Sequence, residues 1–372
     1  MARYFCGVEG GSTSTEVAII SDDGKQCSKV VGPHVNQWTL GLEKAVERTV
    51  FLIESALKKA NLPINTLLLA VGLALSGIDS EENARDFENG LRKVRPALAE
   101  QLYACNDCYG TLFAVTEKGG IVLIAGTGSN CKLIRENLSA YGVGGHGHML
   151  GDEGSGEFLI HRFLDVGRAF WIAHRVIKTY LDDDEGLVLT SFDTSAAKKA
   201  IFDYFGLRHN VDLLEPHYHF EKNYYSGLCQ KIAELARAGD ALCRHVFYEA
   251  GFFLGAHVMA VLQKADLSWR MNSEGVNIVC RGGVFNSWDL LEAGKWSFQT
   301  TYRLYTPLPF LLRGFRDRVT PDIETKKIVH SIRLVFITSS VAVGAALLAA
   351  HVKFHLDLPR NHSYQLLAEF RA

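Results

Sequence analysis

The sequence lacks the features that mark several large classes of protein. It has no excess of positive charge, because 39 lysines and arginines stand against 41 aspartates and glutamates, for a net charge of −2. That balance provides no basic face, so we do not expect a nucleic-acid partner. The uncharged stretch 334–350 has 17 residues, fewer than the roughly 20 that span a bilayer. We predict a buried core helix there and no membrane contact.

Cysteine is sparse and carries no secretory pattern. The chain has eight cysteines, and its first residues reach Glu9 before an apolar core of secretory length forms. We therefore expect reduced thiols and a cytoplasmic protein. Cys105 and Cys108 form the only CxxC pair, which leaves a redox or metal half-site as the alternative to incidental thiols. No second CxxC is present to complete a four-ligand zinc site.

A Walker A pattern, GxxxxGK[ST], is also missing, which excludes a P-loop nucleotide site. The composition is otherwise typical of a globular protein, with 48% apolar and 22% charged residues. A chain of 372 residues exceeds the roughly 250–300 at which a single core stops growing, which favours two domains.

Apolar periodicity predicts alternating strands and helices. The first block contains strands at Tyr4–Val8 and Glu16–Ile20, a third strand after the turn 21–25, a helix at 40–60, a strand at Thr66–Leu75, a helix at 80–99 and a strand at Leu102–Cys105. A second block starts at Gly120 and contains helices near 157–180, 226–238 and 242–265, a strand at Val276–Cys280 and an apolar helix at 340–351. This order predicts an α/β fold. We place the domains at 1–117 and 118–372, with the C-terminal tail returning to the first domain.

Glycine is abundant in one region. Nine glycines lie in the 31 positions 126–156, and all but Gly142 fall in two groups, Gly126–Asn130 and Gly144–Gly156. Glycine lets a backbone turn tightly and approach a ligand closely. The first group follows an apolar strand but lacks GxGxxG spacing, which argues against a dinucleotide fold. Hydroxyls in these turns can bind phosphate, and Asp152 can accept hydrogen bonds from a polyhydroxy substrate, so the pair suggests a kinase.

Two further segments fit that chemistry. The hairpin around Glu9–Thr13 offers backbone N–H groups to phosphates, and the Glu9 carboxylate can hold a hydrated Mg²⁺. A plain hairpin turn is the alternative. Asp107 directly follows a strand, where it can accept the proton of an attacking hydroxyl. Its alternative role is that of an N-cap for the following helix.

The order and spacing of these segments resemble the acetate and sugar kinase/Hsc70/actin superfamily. Within its BadF/BadG-like branch, the sequence is similar to the N-acetylglucosamine kinases of animals. The resemblance covers essentially the whole chain, and the matching residues include Gly7–Gly11, Thr13, Asn36, Trp38, Ser76, Gly77, Asp107, 126–131, 144–145, 151–155, Gly282, Val284 and Ser287.

The resemblance implies two ribonuclease H-like domains in an actin-like ATPase fold, with ATP and sugar in the cleft between them. It also implies Mg²⁺, a homodimer and phosphorylation of N-acetyl-D-glucosamine at its 6-hydroxyl, with Asp107 as the base. The implied sugar-binding residues are Asn36, Trp38, Ser76, Gly77, Asp107, Ser129, Asn130, Gly145, His146, Gly147 and Asp152. The implied ATP-binding residues are Gly11, Ser12, Thr13, Gly126, Thr127, Gly128, Ser226, Gly283 and Ser287, and Glu9 would hold the metal through water.

The chain departs from the family pattern at three positions. His146 stands where tryptophan is usual, Ser14 where lysine or arginine is common, and Ser12 where glycine is usual. Three alternatives to the leading function therefore remain. They are a kinase for another hexose or hexosamine, a dehydratase-activating ATPase with an iron–sulfur cluster at Cys105 and Cys108, and a non-catalytic sugar-binding protein.

Overall fold

The computed structural model describes residues 3–11, 13–126, 129–145, 169–219, 221–272, 275–285, 310–324, 328–360 and 364–371. The chain divides into two compact units. The first contains residues 1–122, 134–139 and 335–366, and the second contains residues 123–133, 140–334 and 367–372. The assignment of domains to 1–117 and 118–372 stays a prediction.

The first unit is built on a five-stranded mixed sheet. Its strands are β1 (Tyr4–Gly10), β2 (Ser14–Ser21), β3 (Gln26–Pro33), β4 (Leu68–Leu75) and β5 (Ala99–Cys105), and its helices are α1 (Gln37–Leu40), α2 (Leu42–Lys59), α3 (Glu81–Val94), α4 (Asp107–Phe113) and α12 (Val341–Phe354). The strand order is β3-β2-β1-β4-β5. The pairs β1–β2 and β2–β3 are antiparallel, and the pairs β1–β4 and β4–β5 are parallel.

Helices cover both faces of this sheet, which explains why its central strands are apolar throughout. Cys6 and Val8 on β1 share a core with the apolar face of α2 and with α3. Phe5, on the opposite face of β1, packs with α12. Successive side chains of a strand point to opposite faces, so a strand covered on both sides needs apolar residues at every position.

Glycine allows α12 to lie directly on the sheet. A Cβ atom added at Gly7 would lie 1.7 Å from the carbonyl oxygen of Ala342, and one added at Gly72 would lie 1.9 Å from that of Ala345. On the other side of the helix, a Cβ at Gly344 would lie 2.1 Å from the carbonyl oxygen of Gly110 on α4. Backbone therefore packs against backbone on both sides of α12. The helix is apolar all round because it is buried all round.

The second unit carries a six-stranded sheet and a helical layer. Its elements are β6 (Gly120–Ala125), β7 (Ser129–Ile134), β8 (Ala140–Gly144), α5 (Ala169–Asp184), α6 (Ser195–Phe205), α7 (Leu214–Tyr218), α8 (Lys222–Ala238), α9 (Ala241–Leu262), α10 (Leu267–Arg270), β9 (Val276–Arg281), α11 (Phe310–Glu324), β10 (Ser331–Ile337) and β11 (Tyr364–Arg371). The strand order is β11-β10-β9-β6-β7-β8. Four of these strands are shared with the first unit. It contains the first three residues of β6 and of β11, the last residue of β7 and the last three residues of β10.

Helix α9 is long and apolar enough to cross a membrane by composition alone, but 61% of its most apolar window is buried in the protein. It crosses α11 at close range, because a Cβ at Gly314 would lie 1.9 Å from the carbonyl oxygen of Tyr248. Such burial is that of a core helix in a globular fold.

The predicted α/β fold class is confirmed, with one correction to a predicted element. The stretch 334–350 is not one helix. Its first four residues belong to β10, and α12 begins only at Val341. An apolar run of this length is compatible with either element, and β-branched residues such as Val335 and Ile337 favour the strand. The predicted helix at 157–180 is described only from Ala169, because residues 157–168 lie outside the described residues.

Candidate functional site

The first set of predicted site residues lies at one edge of the first sheet. Strands β1, β4 and β5 run parallel, with Gly10 paired to Leu75 and Ala74 paired to Cys105. Their carboxyl ends therefore meet at the same edge. The backbone N–H of Ser76 donates to the carbonyl oxygen of Gly10 at 2.7 Å. This geometry brings together the three segments that follow β1, β4 and β5, where ligands bind in open α/β sheets.

The hairpin between β1 and β2 contains the predicted phosphate and metal residues. The N–H of Gly11 donates to the carbonyl oxygen of Ser14 at 3.0 Å, so that donor is used within the turn. The Glu9 side chain is buried, and its Oε1 lies 3.8 Å from the position a Cβ on Gly11 would take. Thr13 is exposed. The carboxylate thus lies beside the turn. Ser12 lies outside the described residues.

Asn36, Trp38 and Gly77 form a corner next to this edge. Asn36 caps α1, with its Oδ1 accepting from the N–H of Trp38 at 2.9 Å. The indole Nε1 of Trp38 donates to the carbonyl oxygen of Gly77 at 2.9 Å, and Nε2 of Gln37 donates to the same oxygen at 3.3 Å. Gly77 has φ +96°, and a Cβ there would lie 2.7 Å from Cδ1 of Trp38.

This corner exposes an aromatic ring that is held in place. The indole of Trp38 is 69% exposed although its N–H is bonded, so the ring presents a fixed surface to solvent. An exposed and orientated aromatic ring is the usual partner of an apolar sugar face or acetamido methyl. Sequence analysis missed Gln37, whose amide adds the second donor to Gly77; its position directly after the cap residue gives no signal by itself.

Asp107 lies at the third strand end, as the first residue of α4. It is not the N-cap, so that alternative is wrong. The cap is Asn106, whose Oδ1 accepts from the N–H of Cys108 at 3.1 Å. The Nδ2 of Asn106 donates to Oδ1 of Asp79 at 2.8 Å. Because Asn106 supplies the cap, the half-buried Asp107 carboxylate is not committed to that function.

Asn106 is the positioning residue that sequence analysis missed. Asparagine is among the best N-cap residues, and it immediately precedes Asp107. The strand-to-helix junction at Cys105–Asp107 therefore carried two cap candidates, and only the backbone geometry distinguishes them.

Cys105 and Cys108 flank this junction, and both are buried within the first unit. A cluster shared between subunits needs thiolates at the surface. Burial of both thiols therefore disfavours that alternative. Within the described residues, no group of three or more His, Cys, Asp or Glu side chains forms a metal site.

The second set of predicted residues lies in the second unit, at the ends of β6 and β9. A Cβ on Gly126 would lie 3.7 Å from the backbone N of Gly283 and 3.7 Å from Cα of Gly282. Gly282 itself has φ +115°, and a Cβ there would lie 2.2 Å from the carbonyl oxygen of Ala125. Gly282, which lies against the Ala125 carbonyl, thus brings Gly126 and Gly283 into contact. We call these two residues open glycines, because a Cβ on either would not clash with the described residues. Their backbones form a patch without side chains, which a nucleotide can approach closely.

Asn130 and Gly145 lie together elsewhere in this unit. The Nδ2 of Asn130 is 3.4 Å from the position a Cβ on Gly145 would take, and Gly145 has φ +94°. The Oδ1 of Asn130 is buried and has no hydrogen-bond partner among the described residues. A buried, unsatisfied acceptor costs free energy unless a ligand or water donates to it. Ser129, the preceding residue, is buried.

The remaining predicted residues are placed less completely. Ser226 is buried on α8. Residues 12, 127, 128, 146, 147, 152 and 287 lie outside the described residues.

Each unit thus carries groups whose chemistry suits phosphoryl transfer. The first offers a carboxylate beside a tight hairpin, a second carboxylate at a helix start and a fixed aromatic ring. The second offers open backbone at two strand ends and an amide oxygen without a partner. These are the donors, acceptors and close backbone approach that a phosphorylated nucleotide and a polyol require.

Comparison with known proteins agrees with this chemistry. Residues 6–297 match the model of the BadF/BadG/BcrA/BcrD ATPase family. The chain is also 28% identical over 300 residues to an N-acetylmuramic acid/N-acetylglucosamine kinase of Clostridium acetobutylicum, covering 77% of this chain and 86% of the relative.

Two solved structures show the same fold. A Chromobacterium violaceum protein provisionally described as an N-acetylglucosamine kinase has a TM-score of 0.65 at 20% identity, covering 93% of this chain and 99% of that one. The ROK-family glucokinase of Streptomyces griseus, solved with glucose and AMPPNP, has a TM-score of 0.56 at 14% identity, covering 94% and 99%. The predicted actin-like ATPase architecture is therefore confirmed. Since the family match covers most of its length, the chain belongs to the BadF/BadG/BcrA/BcrD ATPase family.

Proposed function

We propose that this protein transfers the γ-phosphoryl group of ATP to the 6-hydroxyl of N-acetyl-D-glucosamine, in amino-sugar salvage in the cytoplasm and as a homodimer. The observation that carries this is the edge of the first sheet, where the Glu9 hairpin, Gly77 and Asp107 follow the adjacent strands β1, β4 and β5. The indole N–H of Trp38 is bonded to the Gly77 carbonyl at this edge. The similarity to the Clostridium acetobutylicum kinase supports an amino sugar as the acceptor.

The residues act in the following roles. Asp107 accepts the proton of the sugar 6-hydroxyl as that oxygen forms its bond to the γ-phosphorus, and the bond from phosphorus to the β-phosphate oxygen breaks, releasing ADP. Asn36, Ser76, Gly77 and Trp38 bind the sugar in the first unit. Ser129, Asn130, Gly145, His146, Gly147 and Asp152 are its proposed partners in the second.

The nucleotide has its own proposed residues. Gly11, Ser12 and Thr13 face its phosphates, as do Gly126, Thr127 and Gly128. Ser226, Gly283 and Ser287 lie near the adenosine. Magnesium, when bound, neutralises charge on the phosphates, and Glu9 holds it through water. The buried carboxylate 3.8 Å from the Gly11 Cβ position fits that indirect contact.

An ATP-coupled assay over several sugars tests the proposal. The acceptors are N-acetylglucosamine, N-acetylmannosamine, N-acetylmuramic acid, glucosamine and glucose, and we expect the highest kcat/KM with N-acetylglucosamine. Preference for glucose would assign a hexokinase, and ATP hydrolysis that no sugar stimulates would favour an activating ATPase. Binding of sugar without turnover would identify a non-catalytic sugar-binding protein.

Asp107→Asn tests the role of the base. We expect kcat to fall by about a thousandfold, while calorimetry still detects sugar binding because the amide keeps the shape and one acceptor. Asp86→Asn, on the exposed face of α3, is the control and keeps full activity. Substantial turnover by Asp107→Asn would show that another group takes the proton.

A further inference from the structure

Helix α4 carries Asp107 at its first residue but is too short to fix its own position. It has seven residues, about 10 Å of length at 1.5 Å per residue. Isolated helices shorter than about 12 residues are marginal in water. Contacts from outside the helix must therefore determine where Asp107 lies.

Two of those contacts hold its beginning and its middle. Asn106 caps the beginning and is itself bonded to Asp79. In the middle, the backbone at Gly110 packs against Gly344 of α12, so close that a Cβ on Gly344 would lie 2.1 Å from the Gly110 carbonyl oxygen. This contact stops α4 from moving toward α12, and the buried side chains of Leu112 and Phe113 hold its apolar face.

Arg360 holds the end of the helix. Its Nε donates to the carbonyl oxygen of Phe113 at 3.3 Å, one of the last carbonyls, which have no partner within a helix. Its Nη1 lies 2.7 Å from Oε2 of Glu117, and its side chain is only 8% exposed. Its guanidinium carbon lies 5.9 Å from the centre of the Phe113 ring.

The loop that carries Arg360 is fixed as well. Leu358 is buried in the core with Phe5 and Ile20. The carbonyl oxygen of Pro359 would lie 2.3 Å from a Cβ on Gly24, so the loop lies against that turn. The planar guanidinium has several directed donors, and its loop is held in place. Together they fix the orientation of the end of α4, which an apolar side chain of similar size would not do.

We propose that Arg360 is a positioning residue for Asp107: it fixes α4 at its carboxyl end, and thereby the place of the carboxylate at its other end. This inference rests on the proposed function, in which Asp107 is the base. Arg360 touches neither substrate in that scheme. Its removal should therefore impair the chemical step and spare substrate binding.

Arg360→Met is the main test. It keeps apolar length and removes the charge and the hydrogen bonds. We expect kcat to fall by about tenfold, because small misplacements of a catalytic group are costly, while the KM values for sugar and ATP stay unchanged. Arg360→Lys keeps a cation for Glu117 but loses the fork, and we expect partial rescue of kcat.

Arg95→Met is the matched control. Arg95 follows α3 in the same unit, donates from Nη2 to the carbonyl oxygen of Ile64 at 2.9 Å and lies 3.6 Å from Oε1 of Glu54. It has the same kinds of partner as Arg360 but does not contact α4. We expect Arg95→Met to lower thermal stability and leave kcat unchanged. An equal loss of kcat in both methionine variants would reduce Arg360 to a structural role.

Hydrogen exchange decides the inference independently of turnover. In Arg360→Met, amide protons of residues 111–116 should exchange faster than in the wild type, whereas in Arg95→Met they should not. Unchanged exchange there, or an unchanged kcat, overturns the positioning role. If the wild type phosphorylates no sugar, the proposed function fails by itself, and exchange still reports whether Arg360 fixes α4. Should Arg360→Met fail to fold, Arg360→Lys and Glu117→Gln provide the same comparison.

Discussion

Glycine serves opposite purposes in two regions of this molecule. Where α12 lies on the first sheet, Gly7 and Gly72 face backbone so closely that any Cβ would collide with a carbonyl oxygen. At the ends of β6 and β9, a Cβ on Gly126 would make only ordinary contacts with the described residues, and one on Gly283 would meet none of them within 4 Å. Neither of these two residues has positive φ.

The difference separates a need of the fold from a need of the ligand. Gly7 and Gly72 are required by packing, because no larger residue fits between strand and helix. The described residues place no such demand at Gly126 or Gly283. Their lack of side chains matters only to something that approaches from outside, and in the proposed function that is the nucleotide.

The largest effect should come from adding a methyl group where α12 lies on the first sheet. We expect Gly7→Ala to reduce the free energy of unfolding by about 3 kcal/mol or more, because strand and helix must separate to admit the methyl group. Denaturant unfolding measures this, and Gly72→Ala should behave alike. Gly11→Ala is the control: its Cβ would meet nothing closer than 3.5 Å. A mild loss for Gly7→Ala would show that α12 can shift at little cost.

Adding a methyl group at the open glycines, Gly126 and Gly283, should affect nucleotide binding and not folding. We expect Gly126→Ala and Gly283→Ala to unfold like the wild type but to raise the KM for ATP on the order of tenfold, which corresponds to about 1.4 kcal/mol. The KM for the sugar should change little. Gly142→Ala, on β8, is the control, since its Cβ would only touch the flexible end of Lys132. An unchanged KM for ATP in both variants would remove the nucleotide from this patch.

A smaller effect, on stability alone, is expected from an ion pair between two helices of the second unit, away from its open glycines. Arg175 binds Glu249 through two hydrogen bonds of 3.0 and 3.1 Å. Burial alone would raise the pKa of Glu249, but the bonds from His245 and Arg175 outweigh it and lower that pKa below the ordinary 4.5. The stabilisation is therefore present above pH 4.5 and is lost as the pH falls through the lowered pKa.

Glu249→Gln tests the direction of this pH dependence. At neutral pH we expect it to lower the free energy of unfolding by about 1 kcal/mol, and the difference from the wild type should shrink on acidification below pH 4.5. Chemical unfolding at a series of pH values measures it. A difference that stays constant over that range would mean that the pair does not hold the carboxylate ionised.

Much of the fold could be predicted because the first unit's strands and α2 have simple patterns. Strand β4 is an unbroken apolar run, and α2 repeats apolar residues on one face. The run 334–350 misled because only the uncharged residues Thr338, Ser339 and Ser340 separate the strand from the buried helix there. Strand β7 went unpredicted because its alternation of Cys131 and Leu133 with the polar Asn130 and Lys132 is short and directly follows a glycine-rich segment.

The site was predictable only in part, because a sequence shows which residues are present but not which distant residues they contact. Sequence shows that Asp107 follows a strand, but not that Asn106 takes the cap and leaves the Asp107 carboxylate out of it. It shows Trp38, but not that its indole N–H binds a carbonyl forty positions away in the chain, at Gly77. Arg360 gives no local signal at all, since its partners lie on a helix some 250 residues earlier.

The place of α12 has a consequence for how the protein is made. The core of the first unit joins β1, near the start of the chain, to a helix that ends at Phe354. A ribosome releases the chain from its N-terminus, so β1 and β4 emerge long before the helix that covers them. During that interval one face of the sheet is exposed to solvent and to other chains, and the second unit's helices are synthesised while it waits. The unit that is first in sequence thus waits for residues that are made after most of the second unit.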